Sequence, residues 1–286
     1  MIPLFTSYYY RGGGSSAPAS VLQPWYDSLA VKPSAGLWAD LQVMADGMNT
    51  DGDWGEMDFL SMIACMETEE QRLKPLKTSS NESAVKVGTP TLDASGAFNP
   101  VPGDLNYLDS KWNPADNGIK YTLNSAFIGV YGDTVTSVTS ALPIVGSFEE
   151  TLGLRYYGEI DTNSTTTSMR ISGLSAINQD TQISAISKAG LLNSTKRFFA
   201  SLKRTSSTSI SRFINGTTTV QTISSSNLPR NDFFILGLNN VSSGVSADTS
   251  AIARTVICGS GLINESNVVS RLHTFFAARG LSISNY

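Results

Sequence analysis

The sequence is short of the residues from which most active sites are built. It has one histidine and two cysteines in 286 residues. A single imidazole, His273, cannot form a histidine metal cluster, and no Ser or Cys context makes it a triad base. Cys65 and Cys258 lie far apart, each inside an apolar run (Met62 to Met66, Thr255 to Cys258). Both read as small buried hydrophobes rather than disulfide partners or reactive thiols. Charge is scarce too: Asp, Glu, Lys and Arg make up 15% of the chain, with a formal balance of -4. No domain is basic, which argues against a nucleic-acid partner. No apolar run approaches the ~20 residues of a membrane span. Met1 to Thr6 lacks both the basic start and the unbroken apolar stretch of a secretory signal. The expectation is a protein made in the cytoplasm, with no membrane partner. There is no P-loop, Gly-x-Ser-x-Gly or His-Glu-x-x-His, so no catalytic residue, metal ligand or cofactor is expected.

What fills the chain instead is Ser, Thr, Gly and Asn around a 41% hydrophobic content, the look of a β-rich protein with many turns. The clearest stretch runs from Lys196 to Asn240. Arg197–Lys203, Ser209–Ile214 and Thr217–Ile223 read as strands, and Asn215-Gly216 between the last two is a hairpin signal, because a type I′ turn needs positive φ at both central residues. Other candidate strands are Ala84–Val87, Tyr107–Leu108, Tyr121–Tyr131, Val135–Val138, Thr151–Ile160, Phe233–Leu238 and Ile252–Cys258. So many short strands over residues 79–286 predict a mainly β fold, a large sandwich or jelly roll.

Residues 21–78 read as a helical segment. Ser20 is a candidate N-cap for Val21–Ala30, and Ser34 precedes a helix over Ala35–Ala45 that Gly47 would end. A third helix is expected over Trp54–Thr68, with Met57, Leu60, Ile63 and Ala64 in phase, then a turn over Glu69–Leu73. Asp46 to Glu56 imitates a calcium loop, but no register supplies the oxygen ligands, the Gly and the final Glu together. It reads as a turn, with Asp53 capping the next helix and Glu56 as its capping-box partner. Asn264 and Gly280 bracket a final amphipathic helix expected to bury Phe275 and Phe276.

Residues 1–20 are of another kind. Phe5, Tyr8, Tyr9, Tyr10 and Arg11 precede Gly12-Gly13-Gly14 and Ser15-Ser16. An aromatic peptide on a flexible linker is expected to be a tail that docks on a partner.

Several motifs together carry a resemblance. They are Tyr107-Leu108-Asp109-Ser110-Lys111-Trp112-Asn113-Pro114, Gly118 to Ala126, Phe213-Ile214-Asn215-Gly216, Phe234 to Asn240 and Ile257 to Leu262. With Gly36 to Leu41 and Trp54 to Asp58, they resemble concanavalin A-like (laminin G-like) jelly-roll proteins of tailed phages of Bacteroidetes hosts, the crAss-like phages included. The resemblance implies a virion structural protein, a capsid decoration protein or head fibre. It would dock on other virion proteins through its N-terminal region and oligomerise on the particle. The alternative is a tail-associated module that binds a host surface glycan, with Trp112, Asn113, Asn239 and Asn240 as candidate contacts. Ala97 to Asp104 departs from the family's Gly-Phe-x-Gly-Asn-Gly pattern. The best carboxylate pair for a glycosidase, Glu159 and Asp161, ends a strand that runs into a turn at Asn163-Ser164-Thr165 and reads as a solvated strand end, so no enzyme is expected.

Overall fold

The computed structural model describes residues 19–99, 106–134, 142–151, 154–165, 168–170, 177–179, 197–214, 216–225, 227–237, 239–240 and 251–281. The N-terminal part holds α1 (Gln23–Ser28), α2 (Ala35–Thr50), α3 (Asp53–Glu56), strand β1 (Met57–Met62) and α4 (Glu69–Leu73). Short strands follow: β2 (Lys77–Thr78), β3 (Val85–Val87), β4 (Thr91–Leu92), β5 (Phe98–Asn99) and β6 (Tyr107–Asp109), then α5 (Pro114–Asn117). The long strands are β7 (Ala126–Thr134), β8 (Leu142–Thr151) and β9 (Leu154–Thr165), with β10 (Ser168–Arg170) and β11 (Ile177–Gln179) beside them. The last part comprises β12 (Arg197–Arg204), β13 (Ser209–Ile214), β14 (Thr217–Thr222), β15 (Phe234–Ile235), β16 (Asn239–Asn240), β17 (Ala251–Gly259) and α6 (Glu265–Ala278).

The strands form a jelly-roll-like sandwich with flanking helices. One sheet has seven strands in the order β14-β13-β12-β7-β17-β1-β2. The second runs β10-β9-β8-β15-β6-β3, with β11 paired to β9 and β16 to β8. Alternation along a strand gives the central strands of the seven-stranded sheet, β12, β7, β17 and β1, two buried faces. On one face Phe59, Cys258 and Ile128 are cross-strand neighbours, and Phe59 meets Trp112 of the second sheet's side at 5.9 Å between ring centroids. On the other, Leu60, Ile257 and Tyr131 lie under α6, whose Phe276 stacks on Tyr131 at 4.6 Å. Phe275 and Phe276 are both buried, as the sequence predicts.

Two buried faces also explain why one expected element is of another type. The helix expected over Trp54–Thr68 is a single turn, α3, followed by β1, all six of whose residues are buried. A strand buried on both faces shows no alternation, and a short apolar run then fits a helical period equally well. β1 and β2 therefore belong to the seven-stranded sheet. Gly47 does not end α2, which continues to Thr50 and stops at Gly52 in the left-handed region (φ 86°). Gly47 instead makes room for α6, since a Cβ there would lie 2.8 Å from the Arg271 side chain.

Local signals fare well elsewhere. Ser34 accepts from the Leu37 amide at the start of α2, and Asn264 from Ser266 and Asn267 at the start of α6. α4 covers Glu69–Leu73, capped by Thr68. The β13–β14 register closes at Ile214↔Thr217, with Gly216 at φ 81°. Ser20 turns inward: its hydroxyl donates to Asp46 at 2.9 Å, and α1 begins three residues later. Asp53 lies in the first turn of α3 rather than at its cap, and its carboxylate accepts the Asn264 amide at 2.7 Å, tying α3 to α6. β8 has no counterpart among the expected strands; Pro143 sits beside a register shift in its pairing with β9, where a strand tolerates proline. The segment 135–138 lies outside the described residues. Among the described residues no helix is long and apolar enough to cross a membrane.

Candidate functional site

An open groove of about 350 Å³ lies where the N-terminal helices meet the sandwich. α1 contributes Trp25, α3 contributes Trp54, and the chain from Lys74 to Ser83 runs along it. Both indoles are largely buried and form a floor with Pro75 and Leu76. The Trp25 indole N–H donates to the Lys74 carbonyl at 3.1 Å, so its polar atom is satisfied within the floor. Lys77 places Nζ 5.3 Å from the Trp54 ring centroid and donates to the Trp54 carbonyl. Burial pulls its ammonium below the usual lysine range. Lys74 Nζ donates to the Ser28 carbonyl at 2.9 Å across the groove.

The rim beyond β2 is polar and open. Asn81, Glu82 and Ser83 are exposed, and Asn81 holds the left-handed conformation at φ 60°, which asparagine tolerates better than most residues. The segment is held from both ends. The Ser79 amide donates to the Asp58 carbonyl at 3.0 Å, and the Ala84 amide to the Leu73 carbonyl at 2.7 Å. Between these ties the side chains of Asn81, Glu82 and Ser83 are presented on a fixed backbone. The groove thus combines an apolar floor with amide, carboxylate, hydroxyl and ammonium groups at its edge, the general form of a small-ligand site.

The residues singled out from the sequence lie elsewhere. Trp112 is fully buried, edge-on to Tyr121 and Phe233 at 5.7 and 5.4 Å. Its indole N–H donates to Ser79 Oγ at 2.9 Å, so no face of the ring is open to a sugar. Asn113 caps α5 by accepting from the Asp116 amide at 2.8 Å, and its Nδ2 donates to Asp232 at 3.3 Å. Lys111 (φ 57°) pairs with Asp109 at 2.6 Å. Asp232 is raised above the ordinary carboxylate range by burial; the Asn113 amide lowers it, and the neighbouring Asp109 raises it further. Asn239 and Asn240 form β16, parallel to β8, opposite Ser147 and Phe148. Phe5, Tyr8, Tyr9, Tyr10 and Arg11 lie outside the described residues. Glu159 and Asp161 are in β9, opposite Gly146 and Pro143; only their backbone is described.

Cys258 is buried, as the sequence suggests, whereas Cys65 is only partly buried. Burial pushes the Cys65 thiol up to about 11 and that of Cys258 well above its ordinary value, so both are protonated at neutral pH and poor nucleophiles. His273 is drawn below the usual range by burial and meets Tyr131 edge-on at 6.3 Å.

The molecule is therefore a β-sandwich of the jelly-roll kind with an edge groove. No protein-family model matches the chain, and no curated protein matches it. Among solved structures, Trypanosoma rangeli sialidase in complex with sialic acid is similar at a TM-score of 0.48 and 12% identity, over 80% of this chain and 34% of the sialidase chain. The botulinum neurotoxin serotype D binding domain is similar at 0.45 and 11%, over 82% of this chain and 52% of that chain. The chain thus spans a third to a half of the length of the structures it matches.

Proposed function

We propose that this chain is a non-enzymatic glycan-binding module of a phage particle, and that the groove over Trp25 and Trp54 is its saccharide site. The groove's composition carries the reading. A sugar ring offers C–H faces and a fringe of hydroxyls; the floor is apolar, and Asn81, Glu82, Ser83 and Lys77 supply both donors and acceptors at the rim. The rim residues Asn81, Glu82 and Ser83 are exposed, so ligand contacts made there need not disturb the core beneath. The phage setting rests on the family resemblance of the motifs from Tyr107 to Leu262.

The full chain on an array of bacterial surface and capsular glycans tests this. The expected result is selective retention of a small group of saccharides. Absence of retention across the array overturns it.

A second reading keeps the phage setting but makes the chain a capsid decoration protein or head fibre. It rests on the aromatic segment Phe5 to Arg11 ahead of the Gly/Ser linker, which would dock on other virion proteins. Deleting residues 1–14 tests it: loss of particle incorporation from a still-folded protein supports it, and full incorporation removes it.

A further inference from the structure

The strands that end the two large sheets are not alike. β2 is two residues long and contains Lys77. β3 is three residues long and contains Lys86, which pairs with Glu69 at 2.8 Å. β10 is three residues long and contains Arg170. β11 and β16, beside the main path of the second sheet, are also three and two residues long. Short length and a cation are both ordinary ways to stop a sheet edge from recruiting another strand.

β14 has neither. It runs six residues, Thr217-Thr218-Thr219-Val220-Gln221-Thr222, with no charge and no proline. Its register with β13 is unbroken from Ser209↔Thr222 to Ile214↔Thr217, so no bulge twists it away. Among the described residues β13 is its only strand neighbour. Thr217, Thr218, Val220 and Thr222 are exposed, Val220 at 65%. Threonine and valine favour extended backbone, and on such an edge alternate N–H and C=O groups point outward.

We infer that β14 is an interface and that its occupant is β14 of a second copy of this chain, paired antiparallel about a two-fold axis. Self-pairing is the demanding case for a strand, because a charge near its middle faces its own copy across the two-fold axis. β14 has no charge to oppose. A two-fold axis perpendicular to the sheet sets Thr, Val and Gln opposite one another, all compatible cross-strand pairs. The contact is isologous and closes at two, joining two seven-stranded sheets edge to edge. It does not depend on the glycan reading, since the groove lies at the opposite, β2, end of the same sheet.

The test is sedimentation velocity of the full chain over a concentration series, with hydrogen exchange of residues 217–222. A concentration-dependent dimer with slowed exchange in that segment is expected. Val220→Lys and Thr218→Lys, each replacing an exposed side chain, should weaken it by about tenfold or more while leaving the thermal midpoint of the monomer unchanged. A wild-type chain that stays monomeric overturns the inference, as does a dimer that survives both lysine variants. A dimer lost on deleting residues 1–18 but indifferent to Val220→Lys also overturns it, placing the contact in the N-terminal tail.

Discussion

Ser79 Oγ accepts the indole N–H of Trp112 at 2.9 Å and donates onward to the Asn117 carbonyl at 2.5 Å. One hydroxyl thus joins the groove's rim segment to the aromatic core and to α5. Ser79→Ala should cost about 1–2 kcal/mol, since it leaves a buried indole N–H without its partner. Trp112→Ala should cost about 3–5 kcal/mol through the cavity it opens among Phe59, Tyr121 and Phe233. Urea denaturation measures both, and a Trp112→Ala variant of wild-type stability would contradict the buried placement.

Asp58 supplies the other anchor of this region. Its Oδ2 accepts the amides of Ile119, Lys120 and Tyr121 at 3.0, 2.7 and 2.7 Å. A carboxylate is the one side chain of this size that accepts from three converging donors and offers none in return. Asp58→Ala should destabilise by about 3 kcal/mol or more, because charge-assisted bonds are lost and buried N–H groups are left unmet. Asp58→Asn should recover only part of that.

Arg254 joins β17 to two other elements. Its guanidinium is buried and meets Asp133 of β7 and, at 3.3 Å, Asp93 beside β4. Arg254→Ala should cost about 3–5 kcal/mol, since it strands acidic groups in a low-dielectric setting. Arg254→Met should recover little, because it restores volume without charge. Denaturation at low and high salt checks the origin: the loss should persist at high salt, where a surface pair would be screened.

Asp232 gives a pH signature. Burial raises its carboxyl, so the native state holds the proton to higher pH than the unfolded chain does. The resulting stabilisation is present at low pH and lost as pH rises through the native value. Asp232→Asn removes that titration and keeps an oxygen to accept from Asn113. Relative to wild type, the variant should gain stability between about pH 4 and about pH 7. Paired urea midpoints at the two pH values measure this, and a constant difference would contradict it.

The elements that were legible in the sequence are those fixed by a few neighbouring residues. Ser34 and Asn264 satisfy helix-start amides that lie two or three residues away, and the Asn215-Gly216 dipeptide marks a turn whatever packs on it. β1 was not legible as a strand, because burial on both faces erases the alternation that distinguishes a strand from a helix. Trp112 reads as a candidate sugar contact in the sequence, and only the position of Ser79, Phe59 and Phe233 around it makes it a core residue. The groove was not legible at all. Its residues come from α1, α3 and the chain after α4, and none of those stretches carries a binding signal alone.

The central claim is that the groove binds saccharide, and titration calorimetry of the full chain tests it most directly. An array-selected glycan is titrated into wild type, into Asn81→Gly, which removes the amide and keeps the left-handed turn, and into Glu82→Ala, both exposed positions whose side-chain loss should leave the fold intact. Each truncation is expected to weaken binding by about fivefold to a hundredfold, the worth of one or two hydrogen bonds, with an unchanged thermal midpoint. Equal affinity in all three proteins would contradict the assignment and place the glycan site elsewhere on the sandwich.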